Sequence, residues 1–167
     1  LFGNQGVGLI QLCNHQRDVK IALIAKKEIQ KIPMIRSWME QLRCIFLDRE
    51  DPRQSMDSLK QAQELLKQGY SVVIFPEGTR NNGKELGEFK AGAIRIATRT
   101  GVPIVPVCIE GSCRLMGKGS LWIHPAKVTI KILPAVQTEG LSREQIKALP
   151  EQLREQIDTQ LRTMRNE

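Results

Sequence analysis

The chain has 167 residues, 41% of them apolar and 26% charged, with a net charge of +7. That length fits one domain with a sizeable core, and the composition is that of a soluble globular domain, neither disordered nor fibrous. No run of 18 apolar residues is present to span a membrane. The positive balance points to an anionic partner: nucleic acid, an anionic bilayer or a phosphate-bearing substrate. Against nucleic acid, there is neither a lysine- or arginine-rich run nor a basic stripe interleaved with aromatics.

In chain order, GLIQLC, Gly8 to Cys13, is a short apolar run ending at Asn14-His15. VKIALIA, Val19 to Ala25, is predicted as a strand. Pro33 opens a short helix in which Met34, Ile35, Trp38, Met39 and Leu42 recur at helical spacing. CIFLD, Cys44 to Asp48, reads as a buried strand. Asp51-Pro52 reads as an N-cap and first helical residue, followed by a helix with Met56, Leu59, Ala62 and Leu66 on one face and Gly69 as its stop. SVVIF, Ser71 to Phe75, is an interior strand candidate. After the loop PEGTRNNGKELGEF a helix is predicted from about Lys90 to Thr100, ended by Gly101. VPIVPVCI is a further strand whose prolines suggest an edge or a strained end. KVTIKIL, Lys127 to Leu133, alternates as a half-buried strand does. Ser142 and Gln145 make a capping-box pattern, Pro150 is read as restarting the helix, and Leu153, Ile157, Leu161 and Met164 form one stripe. Strand–helix alternation without repeats or linkers predicts a single α/β domain over 1–167, a mixed, mostly parallel sheet flanked by helices.

Cys13, Cys44, Cys108 and Cys113 have no C-x-x-C spacing, so buried reduced thiols are expected and no metal site. His15 and His124 are the chain's two histidines. Three stretches carry candidate chemistry: NHQRD at Asn14 to Asp18, FLDRED with Arg49, and FPEGTR at Phe75 to Arg80. Each follows an apolar run. Sites in open α/β sheets form at the carboxyl ends of strands, so the three are expected to converge there.

Taken in order, NH, then IFLDR (Ile45 to Arg49), FPEGTR and VPIVPV (Val102 to Val107) resemble the glycerolipid acyltransferases, the family of the 1-acyl-glycerol-3-phosphate acyltransferases. KKEIQKIP, Lys26 to Pro33, is similar to the family's stretch before its second block, and the resemblance runs from about Leu9 to Pro134. It implies a membrane-associated enzyme of phospholipid biosynthesis. Such an enzyme moves a fatty acyl group from a thioester to the free hydroxyl of 1-acyl-glycerol-3-phosphate, giving phosphatidate. The thioester is a co-substrate, acyl-CoA or acyl-carrier protein, and no bound cofactor or nucleic acid is expected. A relative acting on glycerol 3-phosphate or another lysophospholipid, and a catalytically silent lipid- or phosphate-binding module, are the alternatives.

The chemistry needs a base for the acceptor hydroxyl, and a neutral imidazole suits that task. His15 is the candidate, with a carboxylate on its other ring nitrogen fixing the tautomer; Asp18 is the nearest. Arg49 and Arg80 are candidates for the phosphate, which a planar guanidinium grips through two oxygens. Glu77 is a candidate acceptor for a glycerol hydroxyl, Gly78 for close backbone approach, and Thr79 for a hydroxyl contact. Lys27 and Lys90 are candidate contacts to phosphate or to the thiol carrier.

The sequence departs from the family's pattern in three ways. The family has four residues between histidine and aspartate, whereas only Gln16 and Arg17 separate His15 from Asp18. The stretch from His15 to Lys26 is about a dozen residues short. A deletion between Gln16 and Arg17 accounts for both, and the family's carboxylate is then absent from these residues. Arg36 and Arg43 stand where the family is expected to have glycine. The stripe with Trp38, flanked by those arginines, has the composition of an interfacial helix, and the resemblance implies the cytoplasmic face of a membrane, with a hydrophobic segment ahead of the abrupt start LFGNQGVGLIQLC.

Overall fold

A computed structural model describes residues 7–11, 20–28, 33–48, 51–78, 85–115, 122 and 124–166. These residues form strands β1 (Val7–Gln11), β2 (Ile21–Lys26), β3 (Ile45–Leu47), β4 (Ser71–Ile74), β5 (Ile104–Glu110) and β6 (Thr129–Ile132). The helices are α1 (Pro33–Gln41), α2 (Pro52–Lys67), α3 (Ala91–Thr100), α4 (Ser112–Leu115) and α5 (Arg143–Asn166). The strands make one sheet in the order β3-β2-β4-β1-β5-β6. β3, β2 and β4 are parallel, while β1 is antiparallel to β4 and β5, and β6 to β5. Four strands thus point one way, and β1 and β6 the other. The α/β class and the helix-flanked mixed sheet are as expected.

Register fixes which face the helices cover. Ala22 lies opposite Val72, Leu9 opposite both Ile74 and Pro106, and Val7 opposite Cys108. Because side chains alternate with period 2, Ala22, Val72, Ile74, Ile104 and Cys108 share one face. α2 packs there through Ala62 and Leu66, α5 through Leu149, Leu153, Ile157, Leu161 and Met164, and α3 joins both clusters through Ile94, Ile96 and Ala97.

Local chemistry sets the helix ends. Asp51 Oδ1 accepts from the backbone N–H of Arg53 (2.9 Å) and Gln54 (3.3 Å), with Pro52 in the first turn, as predicted. α2 ends with Tyr70 N–H donating to Leu65 O and Gly69 N–H to Leu66 O, the Schellman pattern. α1 ends the same way, with Cys44 N–H to Met39 O and Arg43 N–H to Glu40 O. The left-handed position there belongs to Arg43, at φ 50, which explains why glycine suits it. The Arg43 guanidinium lies 5.6 Å from the centre of the Tyr70 ring, an attraction that offsets part of the backbone cost. The Ser142–Gln145 capping box is present, with Ser142 N–H donating to Gln145 Oε1 at 2.7 Å and Gln145 N–H to Ser142 Oγ at 3.2 Å.

Four expectations are corrected. β5 is interior, between β1 and β6. It tolerates Pro106 because that residue's carbonyl faces the β6 side, accepting from Leu133 just past the last residue of β6. The missing N–H therefore falls between the end of β6 and the separate Ile104–Val136 bridge. β6 is not half-buried: Ile130 and Ile132 are 61% and 67% exposed. They pair with Ile109 and Val107, on the face away from α5, whereas Lys131 pairs with Cys108 on the helix side. Pro150 does not restart a helix, since α5 runs unbroken through it. Met56 is 45% exposed, and Ser58 takes the inward position on α2, its hydroxyl donating to Phe46 O at 2.9 Å. The described cysteines, Cys44, Cys108 and Cys113, are not joined in disulfides; of these three Cys108 is fully buried, and burial pushes its thiol up to about 11.

Candidate active site

The carboxyl ends of β3, β2 and β4 stand side by side. Lys26 pairs with Leu47, so Lys27 and Asp48 leave their strands at the same level. β4 lies on the other side of β2 and continues into Phe75, Pro76, Glu77 and Gly78. Two strand spacings, about 10 Å, separate the exits of β3 and β4. Arg49 follows Asp48 directly, and Thr79 and Arg80 follow Gly78; these three lie outside the described residues. Asp48 and Gly78, the described residues that precede them, follow strands on either side of β2.

The exit of β4 is a tight turn. Gly78 N–H donates to Phe75 O at 3.1 Å, and Gly78 has φ 66, a left-handed conformation that a side chain disfavours. Glu77 is buried, 6% exposed. Its Oε2 accepts from Gly87 N–H at 2.8 Å, and a Cβ added at Gly87 would stand 3.1 Å from that oxygen. Lys90 N–H donates to Pro76 O at 2.9 Å. The loop that carries Thr79 and Arg80 is thus pinned at its base by a carboxylate and a backbone bond. Sequence reasoning offered Glu77 as an acceptor for a glycerol hydroxyl and missed Gly87 as its partner, because nothing local in LGEF marks that glycine. Lys90 Nζ is exposed and lies 3.6 Å from Glu88.

The exit of β3 is also fixed. Lys27 Nζ donates to Asp48 Oδ2 at 3.1 Å and to Gln54 Oε1 at 2.8 Å. Ser55 Oγ donates to the Asp48 carbonyl. These partners, too, went unseen in the sequence.

His15 and Asp18 lie outside the described residues, but the strand leading to them is defined. β1 runs antiparallel to β4, with Gln11 opposite Val72, and Ser71 N–H donates to Lys20 O at 2.7 Å. Gln11 and Lys20, the described residues on either side of that segment, therefore both lie at the amino end of β4. The carboxyl ends of β3 and β4 lie at one end of the sheet and that of β1 at the other. The physical reason is chain length. A crossover between parallel strands takes about a dozen residues or more, and nine separate Gln11 from Ile21.

The sequence model of the family described as Acyltransferase matches residues 6–110. The chain belongs to the acyltransferase family. It is 46% identical over 97 residues to the chloroplastic 1-acyl-sn-glycerol-3-phosphate acyltransferase BAT2 of Brassica napus, an alignment covering 58% of this chain and 28% of that protein. It is 35% identical over 149 residues to the 1-acyl-sn-glycerol-3-phosphate acyltransferase of Cocos nucifera, covering 82% of this chain and 48% of that one. Since 82% of 167 residues is about 137, about a dozen of those 149 positions have no counterpart here. The crystal structure of the 1-acyl-sn-glycerophosphate (LPA) acyltransferase PlsC from Thermotoga maritima matches with TM-score 0.74 and 33% identity, covering 89% of this chain and 58% of that one. The chain spans between about a quarter and three-fifths of these relatives.

Proposed function

We propose that this acyltransferase-family chain transfers an acyl group from acyl-CoA or acyl-carrier protein to the free hydroxyl of 1-acyl-glycerol-3-phosphate. The observation that carries the reading is the pair of pinned strand exits, β3 and β4, about two strand spacings apart, after which Arg49 and Arg80 follow in the chain. The printed activities of the relatives from Brassica napus, Cocos nucifera and Thermotoga maritima support the same substrate. In this reading the two guanidiniums hold the acceptor phosphate, Gly78 opens the backbone to the headgroup, and Thr79 contacts it. Glu77 acts mainly by closing the loop beneath them. His15 takes the hydroxyl proton as the oxygen attacks the thioester carbonyl; the thiolate then leaves and takes that proton from the imidazolium. No covalent enzyme intermediate is required, and no metal or bound cofactor enters.

A second reading rests on the direction of β1 and the dozen absent positions: a lipid-phosphate binding module without turnover. Phosphatidate formation from labelled acyl-CoA and 1-acyl-glycerol-3-phosphate separates the two. The enzyme reading expects turnover that falls at least tenfold when monoacylglycerol, lacking the phosphate, is the acceptor. Saturable lysophosphatidate binding with no product supports the binding module instead.

The protein works at a bilayer surface, the cytoplasmic leaflet, in this account. Trp38 and Leu42 are 71% and 52% exposed on and just past α1, with Arg36 and Arg43 beside them, the mixture that seats a helix in an anionic interface.

A further inference from the structure

We propose that the β6 edge of the sheet, with the segment leading into it, is a surface that seats on an anionic bilayer, an inference that rests on the lipid-substrate reading above. Ile130 and Ile132 are 61% and 67% exposed, and Trp122, between α4 and β6, is 78% exposed. The two isoleucines are alternate residues of one strand, so they stand on one face, about 7 Å apart. That face continues inward to Val107, the partner of Ile132, which is only 6% exposed. On that face the sheet is closed at Val107 and open over β6. Edge strands are ordinarily blunted with charge. Here the lysine of the strand, Lys131, is on the helix side, and both positions on the open face are isoleucine.

The charge of this region is one-sided. From Gly111 to Thr138 the chain carries Arg114, Lys118, Lys127 and Lys131 and no aspartate or glutamate. Arg114 reaches back to Glu110 at 3.8 Å. Lys127 and Lys131 are exposed, with no carboxylate in ion-pair range among the described residues. Exposed isoleucine and tryptophan beside unneutralised lysine suit a membrane interface: the apolar side chains enter the headgroup region and the cations meet anionic lipid. A second copy of the chain is a poorer occupant. A two-fold interface sets a patch on itself, so Lys127 and Lys131 would meet their own counterparts with no acid from the same stretch between them. The position also suits delivery of a lipid. Thr129, at the start of β6, pairs with Glu110 at the carboxyl end of β5. β4 and β5 are both antiparallel to β1, so this is the end of the sheet that carries the Glu77 turn. Three strand spacings, about 14 Å, separate β6 from β4. The surface is distinct from α1, which leads into β3 at the opposite edge.

The test is flotation with vesicles of equal parts phosphatidylglycerol and phosphatidylcholine, and with vesicles of phosphatidylcholine alone. It compares the wild type with Ile130→Thr/Ile132→Thr, Trp122→Ser and Lys127→Gln/Lys131→Gln, and sedimentation gives the oligomeric state of each. Each lysine near an anionic surface strengthens binding about fivefold. The lysine pair therefore lowers binding to the anionic vesicles about tenfold or more and leaves binding to phosphatidylcholine alone unchanged. The isoleucine pair and Trp122→Ser each lower binding to the anionic vesicles about fivefold or more. A wild type that does not float with the anionic vesicles, or variants that float as well as it does, would overturn the proposal. So would a wild-type dimer that the isoleucine pair converts to monomer with flotation unchanged, which assigns the surface to a second copy. Turnover of 1-acyl-glycerol-3-phosphate held below its micellar concentration is the same in all variants; a loss there would place these residues in the site and overturn the proposal as well. Should the wild type float as expected and make no phosphatidate, the functional reading fails and the surface stands.

Discussion

The Glu77 carboxylate is the most specific structural claim near the site, and its removal has a calculable cost. Glu77→Ala takes the acceptor from the Gly87 N–H, a bond of 2.8 Å to a charged group in a buried setting. Hydrogen bonds to charged groups contribute about 1.5–3 kcal/mol, and a stranded donor loses about that amount. For a chain of this length each kcal/mol lowers Tm by about 2–4 °C, so the loss expected is about 3–12 °C. Glu77→Gln keeps an oxygen in place and loses only the charge assistance, about 1 kcal/mol. Urea unfolding gives the free energies, and amide exchange at Gly87 reports the bond itself. An Ala variant within ~0.5 kcal/mol of wild type, with Gly87 still protected, would refute the loop-closing role and return Glu77 to the substrate.

Three further outcomes are expected. Ile157→Ala, at a side chain with no exposed surface in the α5 cluster, costs about 2–5 kcal/mol in urea unfolding, whereas Ile130→Ala on exposed β6 costs under ~0.5 kcal/mol; equal costs would contradict the assignment of faces. Cys108 binds its proton more tightly folded than unfolded, because burial raises it from 9.0 to about 11. Its contribution is therefore complete below about pH 9 and lost as pH rises through about 11, so the stability difference between wild type and Cys108→Ala narrows over that range, and a constant difference would oppose the claim. Trp38→Ser with Leu42→Ser lowers binding to vesicles containing anionic lipid at least tenfold in a flotation assay; unchanged flotation would remove α1 from the interface.

Local chemistry was legible where one residue decides it. The Asp51 cap, the Ser142–Gln145 box and the α5 stripe follow from side-chain reach and helical period, and all are present. What the sequence hid is decided between elements. The exposure of Ile130 and Ile132 depends on which face the helices cover, and the place of Pro106 on where β6 ends. Alternation alone carries neither fact. The partners of Glu77 and Lys27 lie ten and more than twenty residues away, and only the folded register brings them in. The direction of β1 follows from a segment length visible in the sequence, but the constraint acts only once β4 is known to lie between β1 and β2.

That last point makes His15 the residue on which the account turns. The direct measurement is phosphatidate production from acyl-CoA and 1-acyl-glycerol-3-phosphate by the wild-type protein and by His15→Ala, with equal unfolding free energies confirmed for both. The account predicts turnover by the wild type and a loss of at least a hundredfold in kcat for the variant, the scale of general-base catalysis, about 10²–10⁴. Equal turnover by the two proteins would contradict it.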